Sequence, residues 1–195
     1  MKNLKGTKTL ENLMKTFAGE SQARNRYTMY ASVARNEGYK QIEALFLETA
    51  ENEREHAKRF FKAVTDNLKE AVAVDINATY PASIGKTLDN LLASAAGENE
   101  EHTTLYPSFA DVAEQEGFPE IGLIWRNIAR VEVEHEKRLR KLADNIKSSS
   151  VFKKDKPVRW KCMNCGLILE SKEAPEQCPA CLHPKAWFEL SAENY

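Results

Sequence analysis

Two short segments of the sequence repeat the same pair of possible metal ligands, a glutamate followed three residues later by a histidine. Glu53 precedes His56, and Glu132 precedes His135, 79 residues further along the chain. Residues three apart lie on one face of a helix, so each pair would point a carboxylate and an imidazole in the same direction. Two such pairs on facing helices, with a glutamate from each of two further helices, form a carboxylate-bridged two-metal site in a four-helix bundle.

Each Glu-x-x-His pair is a weak signal when it is taken alone. Charged helices produce this spacing by chance, and a surface ion pair would explain it. Glu53 and His56, however, fall within an apolar helical stripe, and carboxylates that are buried are usually paired or bound to metal. The stripe consists of Ile42, Leu45, Phe46, Thr49, Phe60 and Ala63.

The chain is predicted to contain four long helices. Their ranges, read from the apolar periodicity, are 7–37, 39–67, 83–116 and 118–147. Residues 68–82 lack a helical stripe, and the alternation of Val72, Val74 and Ile76 indicates that part of this segment is extended. A connection of this length fits a crossover along the bundle. We therefore predict a mainly α fold, a four-helix bundle with a long crossover.

The second pair of predicted helices repeats the first. Ala18-Gly19-Glu20 matches Ala96-Gly97-Glu98 at an offset of 78 residues, whereas later positions, such as Tyr27 and Tyr106, match at an offset of 79. An internal duplication of a helical hairpin is the economical explanation. The change of offset requires one extra residue, which a helix can absorb as a π-type turn. We predict such a turn within 99–106.

The duplication would bring the carboxylates and imidazoles of both halves to the bundle centre. Glu101 follows Glu98 by three residues and has no counterpart in the first half. A buried ion network without metal is the alternative, but five carboxylates against two imidazoles require cations. Carboxylate and imidazole ligands suit iron or manganese. The candidate cluster consists of Glu20, Glu53, His56, Glu98, Glu101, Glu132 and His135.

Two tyrosines, Tyr27 and Tyr106, occupy symmetry-related positions beside this cluster. They could simply be core aromatic residues. A buried phenol usually has a hydrogen-bond partner, however, and a ligand carboxylate would provide one. Both interpretations are open on the sequence alone.

All four cysteines lie near the C-terminus as two C-x-x-C pairs, Cys162 with Cys165 and Cys178 with Cys181. Two such pairs bind one tetrahedral metal ion through four thiolates, and the pattern does not choose between zinc and iron. A module of roughly 40 residues needs its metal to fold. The predicted organisation is a bundle at 1–147, a linker at 148–157 and a metal module at 158–195.

Composition argues against several classes of protein. With 28 Lys and Arg against 29 Asp and Glu, the net charge of −1 gives no reason to expect binding to nucleic acid or to an anionic membrane. No apolar run approaches the roughly 18 residues that a membrane-spanning helix needs. The first residues also lack the apolar core of a signal peptide. We therefore expect a cytoplasmic protein.

Over its whole length the sequence resembles the rubrerythrin family. The motifs that carry the resemblance are Ala18-Gly19-Glu20, Glu53-x-x-His56, Ala96-Gly97-Glu98-x-x-Glu101, Glu132-x-x-His135 and the two cysteine pairs. The resemblance implies a ferritin-like bundle with two non-haem irons, followed by a rubredoxin-like domain with one iron on the four cysteines. Leu182 departs from the pattern, because rubredoxins usually have glycine there, and the interval between the cysteine pairs is short. Zinc in the tail therefore stays possible.

The resemblance also implies which residues hold the two irons. Glu53 and Glu132 would bridge them. Glu20 would be a terminal ligand of one iron, and Glu98 and His135 would be ligands of the other.

Four residues would have catalytic roles on the same grounds. Glu101 and His56 would exchange as ligands of the first iron between its oxidised and reduced states. Tyr27 and Tyr106 would hydrogen-bond ligand carboxylates. The implied activity is the reduction of hydrogen peroxide to water, with electrons relayed through the tetra-cysteine iron from a rubredoxin or an NADH-dependent reductase.

The position of the tail adds a prediction about assembly. His135 lies 12 residues before the end of the last predicted helix, which is roughly 18 Å. The metal module therefore begins far from the metal site of its own chain. We predict a homodimer, head-to-tail or with exchanged helices, in which each tail serves the partner's site.

Two other functions are compatible with part of the sequence. A ferritin-like ferroxidase or iron-handling protein would share the carboxylates, but it would not explain Glu101 or an electron-transfer tail. A non-catalytic protein whose zinc module binds a partner would leave the carboxylate cluster unexplained.

Overall fold

A four-helix bundle forms the N-terminal part of the computed structural model, which describes residues 3–68 and 70–194. The helices are α1 (Lys8–Asn36), α2 (Lys40–Asn67), α3 (Thr87–Glu100), α4 (Tyr106–Gln115) and α5 (Pro119–Lys147). Helix α1 packs against α2 as one antiparallel hairpin, and α3 and α4 pack against α5 as the other. No helix in these ranges combines the length and apolar character needed to cross a membrane.

The third predicted helix is continuous but contains a π turn. Helices α3 and α4 are joined by a π-helical segment at Glu101–Leu105. This confirms the turn predicted within 99–106 from the change in repeat offset. The extra residue of the second half is therefore accommodated inside a helix, directly beside Glu98.

The connection between the two hairpins runs along the bundle, as predicted for a crossover. The Tyr80 hydroxyl donates to the Lys15 carbonyl oxygen (2.9 Å), and the Tyr30 hydroxyl donates to the Ser83 carbonyl oxygen (2.7 Å). Helix α3 begins at Thr87, four residues later than predicted. The extended alternation expected at 72–76 forms no strand within residues 70–86. These residues pack side chains onto the bundle without a partner strand, so the alternation leads to no sheet.

Both hairpins turn at a glycine in the left-handed region, Gly38 with φ +84° and Gly117 with φ +82°. In each turn the amide that follows the glycine donates to the carbonyl five residues earlier, at 2.8 and 2.7 Å. Glycine adopts this conformation without the steric penalty of a Cβ atom. The two turns are thus conformational copies, in line with the duplication.

Each hairpin also caps the first helix of the other. The Glu116 carboxylate accepts hydrogen bonds from the amides of Lys8 (3.0 Å) and Thr9 (2.8 Å) and from the Thr9 hydroxyl (2.6 Å). Glu37, at the matching position of the first half, accepts from the Thr87 amide (3.0 Å). These carboxylates satisfy amides that a helix leaves free at its N-terminus and favour its positive end. The reciprocal caps join the two halves.

Two apolar clusters fill the bundle on either side of the predicted site. Along α2, Phe46 belongs to one cluster and Phe60 to the other, with the Glu-x-x-His pair between them. Along α5 the order is reversed, with Trp125 and Leu139 on either side of the second pair. The charged side chains therefore lie in a layer enclosed by apolar packing.

The C-terminal module is a three-stranded antiparallel sheet with strand order β2-β1-β3. The strands are β1 (Lys153–Cys162), β2 (Ile168–Glu173) and β3 (Phe188–Leu190). The predicted linker at 148–157 needs correction at its C-terminal end, because β1 begins at Lys153. Lys153 pairs with Glu173, and Phe152 packs against the core of the module. Backbone pairing thus orders residues that composition alone suggested were a linker.

The module packs against the turn between α1 and α2. The Phe152 ring stacks on Tyr39, with ring centroids 6.2 Å apart and an interplanar angle of 8°. The Lys40 ammonium lies 4.6 Å from the centroid of the Trp187 ring. The tail is therefore held at the end of the bundle, away from the middle of the helices.

Candidate metal centres

Six of the predicted ligands converge at the middle of the bundle in two overlapping groups. In each group, one ligand atom from every residue lies within 4.8 Å of the others. The first group is Glu20, Glu53, His56 and Glu132, and the second is Glu53, Glu98, Glu132 and His135. Glu53 and Glu132 belong to both groups, which is the arrangement needed for two carboxylates that bridge two ions.

The two shared carboxylates face the two imidazoles symmetrically. His56 Nδ1 lies 2.8 Å from Glu53 Oε2 and 3.1 Å from Glu132 Oε1. His135 Nδ1 lies 2.8 Å from Glu132 Oε2 and 3.2 Å from Glu53 Oε1. His135 Nε2 lies 3.3 Å from Asn52 Oδ1. If Nε2 donates to this oxygen, Nδ1 is left with a free lone pair directed at the site.

The outer glutamates, Glu20 and Glu98, complete the two groups. Each has its Oε2 atom 3.8 Å from the imidazole Nδ1 of its own group. The Tyr106 hydroxyl donates to Glu20 Oε1 (2.5 Å), and the Tyr27 hydroxyl donates to Glu98 Oε1. Both tyrosines are therefore more than core aromatic residues. Each comes from the hairpin that does not carry its partner glutamate, so the two bonds cross between the halves.

The burial of the cluster indicates that it fits cations. Each of its four glutamates is at most 1% exposed, and His135 is 2% exposed. Several of their polar atoms have no hydrogen-bond partner in the described part of the chain. These are Glu20 Oε2, Glu53 Oε1, Glu98 Oε2, both carboxylate oxygens of Glu132, and His135 Nδ1. Buried polar atoms are costly unless they are compensated, and here they surround one shared space. Two divalent cations would compensate them.

The pKa values of the cluster residues, taken without a bound cation, also reflect the excess of carboxylates over imidazoles. Burial raises the pKa of Glu98 to about 8, and the charge of Glu53 adds to this effect. Burial alone would also raise the pKa of Glu53, but the adjacent imidazoles of His135 and His56 lower it to about 2. For His135, burial would lower the pKa, but the adjacent carboxylates of Glu132 and Glu53 raise it to about 12. Glu53, which contacts both imidazoles, therefore has a lowered pKa, whereas burial raises the pKa values of the outer carboxylates of Glu20 and Glu98.

Glu101 is the predicted ligand that lies outside both groups. Its side chain is half-buried in the π turn and lines a cavity of about 550 Å³ under the crossover, together with Gly97 and Tyr80. Burial and the charges of Glu20 and Glu98 raise the pKa of Glu101. Its exchange with His56 as a ligand stays a prediction, as do the individual ligand roles.

A layer of polar contacts that the sequence motifs do not predict lies behind the second group. Glu136 Oε2 lies 2.6 Å from His102 Nε2 and accepts from Asn99 Nδ2 (3.1 Å), while Glu136 Oε1 accepts from Arg140 Nε (2.5 Å). Because Glu136 follows His135, these bonds tie the π turn to α5 next to the site. The three-residue spacing of Asn99 and His102, one position after Glu98 and Glu101, was the available signal.

The four cysteines of the tail come together in a second site. The Sγ atoms of Cys162 and Cys181 are 3.7 Å apart, as are those of Cys165 and Cys178. Four thiolates about 2.3 Å from one tetrahedral ion would be about 3.8 Å from each other, so the cluster fits a single metal. The His183 amide lowers the pKa of the Cys181 thiol to about 6. The Leu167 amide likewise lowers the pKa of Cys165, but the other cysteine sulfurs, with Cys181 foremost, and burial together raise it to about 12.

The two cysteine knuckles have the same backbone conformation but different residues at one critical position. Gly166 follows the first pair with φ +80°, and Leu182 follows the second with φ +61°. Their amides donate to the carbonyl oxygens of Cys162 and Cys178, both at 2.9 Å. The departure noted in the sequence thus places a leucine where the backbone favours glycine.

Comparisons with known proteins agree with this architecture. Residues 11–143 match the rubrerythrin family, and residues 160–189 match the rubredoxin-like domain of rubrerythrin. The chain is 61% identical to rubrerythrin-1 of Clostridium acetobutylicum, with both chains covered completely. It is 60% identical to the rubrerythrin of Clostridium perfringens over the full length of both chains. The rubrerythrin of Porphyromonas gingivalis is 53% identical, and the match covers 100% of this chain and 95% of that one.

Solved structures show the same arrangement of helices. The structure of partially reduced nigerythrin has a TM-score of 0.63 at 29% identity, covering 97% of this chain and 92% of that chain. A bacterioferritin from Desulfovibrio desulfuricans has a TM-score of 0.64 at 19% identity, covering 73% and 82%; this likeness concerns the fold alone. The bundle is ferritin-like, and the four-cysteine module is rubredoxin-like. With both domains matched and close relatives covered end to end, the chain belongs to the rubrerythrin family.

Proposed function

We propose that this protein is a reductive peroxidase that converts hydrogen peroxide to water at a two-iron site in its bundle. Electrons would come through a tetra-cysteine iron from a rubredoxin or an NADH-dependent reductase in the cytoplasm. The observation that carries the proposal is the pair of overlapping ligand groups that share Glu53 and Glu132. A four-thiol site on the same chain supports an electron supply, which iron storage would not need.

The ligand set fits iron, and the number of metal sites fits the reaction. Reducing peroxide to two waters consumes two electrons and two protons. Two ferrous ions would supply both electrons at once when bound. The shared carboxylates of Glu53 and Glu132 hold the two positions together, and apolar packing on both sides excludes bulk water from them.

The other residues of the site would orient ligands and handle protons. Tyr106 and Tyr27 fix the outer carboxylates of Glu20 and Glu98, so that one oxygen of each stays directed at the centre. Glu101 lines the cavity beside the centre, and burial together with the charges of Glu20 and Glu98 raises its pKa. It is therefore suited to pass a proton inwards from the cavity.

We further propose that electrons pass between subunits of a homodimer, head-to-tail or with exchanged helices. The tail contacts its own bundle at Lys40. Glu53 lies 13 residues further along α2, or about 20 Å at 1.5 Å per residue. Electron transfer becomes steeply slower with distance, so a partner's tail beside the middle of the bundle would be a better donor.

Peroxide turnover driven by NADH and an excess of reductase tests the activity. Glu53→Ala removes a ligand from both groups and should abolish turnover while the visible spectrum of the tail metal is retained. Cys162→Ser should abolish NADH-driven turnover but leave a single turnover after chemical reduction. Undiminished turnover by Glu53→Ala would contradict the proposed site.

Mixing the two variants tests the path between subunits. In a Glu53→Ala and Cys162→Ser heterodimer, one protomer has an intact tail and its partner has an intact bundle site. Delivery between subunits should restore turnover in this heterodimer. If mixed dimers form and stay inactive, electrons pass within one chain instead.

A further inference from the structure

Arg26 of α1 and Glu101 of the π turn line the same two cavities beside the bundle centre. One is the cavity of about 550 Å³ under the crossover, and the other is a small space of about 30 Å³. Tyr27, the next residue after Arg26, donates to Glu98, which precedes Glu101 by three residues. This contact brings the two elements together, so the guanidinium and the Glu101 carboxylate face a common space.

Neither of these charged side chains has an ion-pair partner among residues 3–68 and 70–194. The Nη1 atom of Arg26 is buried and has no hydrogen-bond partner within these ranges. The other arginines of α1 have ion-pair partners: Arg24 Nη2 lies 3.8 Å from Glu51, although Arg24 Nε also lacks a hydrogen-bond partner within these ranges, and Arg35 Nη1 lies 3.7 Å from Glu43. A buried guanidinium nitrogen without an acceptor is costly, and the cavity offers Glu101 as an acceptor.

We propose that Arg26 is a positioning residue for Glu101, and that its guanidinium receives the Glu101 carboxylate when that side chain turns away from the bundle centre. This inference rests on the proposed two-iron site. Arginine binds a carboxylate through two parallel hydrogen bonds, which fix its orientation as well as its charge. Glu101 thus has two positions, one against the four buried glutamates and one against Arg26.

The charge at the centre decides between these positions. A fifth carboxylate at the centre is favoured when the ions there carry more positive charge and disfavoured when they carry less. Arg26 would therefore hold Glu101 mainly in the reduced protein and stabilise that state. Removing Arg26 should shift the equilibrium towards the oxidised state and lower the reduction potential of the two-iron site.

A double-mutant cycle on the iron-loaded protein tests this coupling. The reduction potential of the two-iron site is measured for wild type, Arg26→Gln, Glu101→Gln and the double variant. Contacting charged residues are typically coupled by about tenfold in an equilibrium constant, which is about 59 mV for a one-electron step. We expect Arg26→Gln to lower the potential in the wild-type background and to have a much smaller effect in Glu101→Gln. Arg26→Lys keeps the positive charge but loses the two parallel hydrogen bonds of the guanidinium. Its reduction potential should therefore lie between those of Arg26→Gln and wild type.

Glu100 provides the matched control, because it is exposed and lines the larger cavity with Arg26. The Arg26→Gln shift should be unchanged in a Glu100→Gln background. Crystals of the reduced iron-loaded protein should also have the Glu101 carboxylate within hydrogen-bond distance of Arg26. The inference is overturned if Arg26→Gln lowers the potential equally in the wild-type and Glu101→Gln backgrounds, or if its effect depends on Glu100 instead. Neither result would argue against the two-iron site itself. A wild-type protein without a two-iron signal overturns the site as well.

Discussion

Replacing Glu116 by alanine should destabilise the bundle far more than a typical substitution outside the core. The carboxylate accepts two amides and a hydroxyl at the N-terminus of α1, where Lys8 and Thr9 begin the helix. Loss of an N-terminal cap costs about 1 kcal/mol, within a range of roughly 0.5–2. Hydrogen bonds to a charged group are worth about 1.5–3 kcal/mol when well formed. For this half-buried carboxylate we expect a loss of about 2 kcal/mol.

The matched substitution Glu37→Ala removes only one such bond, to the Thr87 amide, and should cost about 1 kcal/mol. In a chain of this size 1 kcal/mol lowers Tm by about 2–4 °C. Melting of the metal-loaded protein, followed by circular dichroism, should therefore give a decrease of about 4–8 °C for Glu116→Ala and about half of that for Glu37→Ala. Equal decreases, or a decrease only for Glu37→Ala, would refute the reasoning.

The same cap predicts a pH dependence. Burial tends to raise the pKa of Glu116, but hydrogen bonds from Thr9 lower it below its usual 4.5. A carboxyl group with a lowered folded-state pKa stabilises the fold above its unfolded pKa and loses this contribution as the pH falls through the folded value. The difference in Tm between wild type and Glu116→Ala should thus be constant near neutrality and shrink below about pH 4.5. A difference that grows in acid would contradict the role of the ionised carboxylate.

Three further outcomes follow from the two metal sites. Leu182→Gly removes the strain of a leucine in the left-handed backbone region and should stabilise the tail module by about 1 kcal/mol. The metal–thiolate absorption of the variant should therefore persist to higher denaturant concentration. Gly166→Ala, at the matching position, should have the opposite effect. Tyr106→Phe removes the bond to Glu20 and should weaken iron binding in the bundle by about 10–100-fold, measured by competition with a chelator, whereas Tyr39→Phe should leave it unchanged. Removing the tail metal should abolish the sheet signal in amide hydrogen exchange, because few buried side chains remain to hold the module together; persistent protection of β1 would contradict this.

Much of the bundle and its centre could be predicted from the sequence because the duplication repeats each feature. In the sequence repeat, Glu20 corresponds to Glu98 and Tyr27 corresponds to Tyr106, and this correspondence defined the symmetry. The single shift in offset located the π turn to within two residues of its observed ends, Glu101–Leu105. A helix can accept one extra residue in few ways, so the sequence restricted the structure strongly at this point.

Features that depend on contacts between distant helices could not be predicted in the same way. Glu37 and Glu116 were matched as part of the repeat, but their caps depend on how one hairpin ends beside the start of the other. The Glu136 network and the unpaired Arg26 likewise depend on the rotation of each helix within the bundle. The helical spacing of the sequence predicts which face of a helix a residue lies on. It does not predict which residues of other helices that face contacts.

The tail shows the opposite case, in which local composition gave the wrong impression. Residues 153–157 carry lysines, an aspartate and a proline, a composition typical of a linker, yet they form the start of β1. Phe152 supplies the reason, since it packs into the module and stacks on Tyr39 of the bundle. One anchored aromatic residue orders a segment whose other residues have little preference for a strand.

The most direct test of the central claim is a single turnover of the anaerobically reduced, iron-loaded protein. One equivalent of hydrogen peroxide is added, and stopped-flow absorbance follows the two-iron site and the tetra-cysteine iron. We predict rapid oxidation of the bundle site, followed by slower oxidation of the tetra-cysteine iron. Added reductant should then return the tetra-cysteine iron to its reduced state. Slow reaction with peroxide, but fast reaction with oxygen and added ferrous ion, would contradict the peroxidase and favour a ferroxidase.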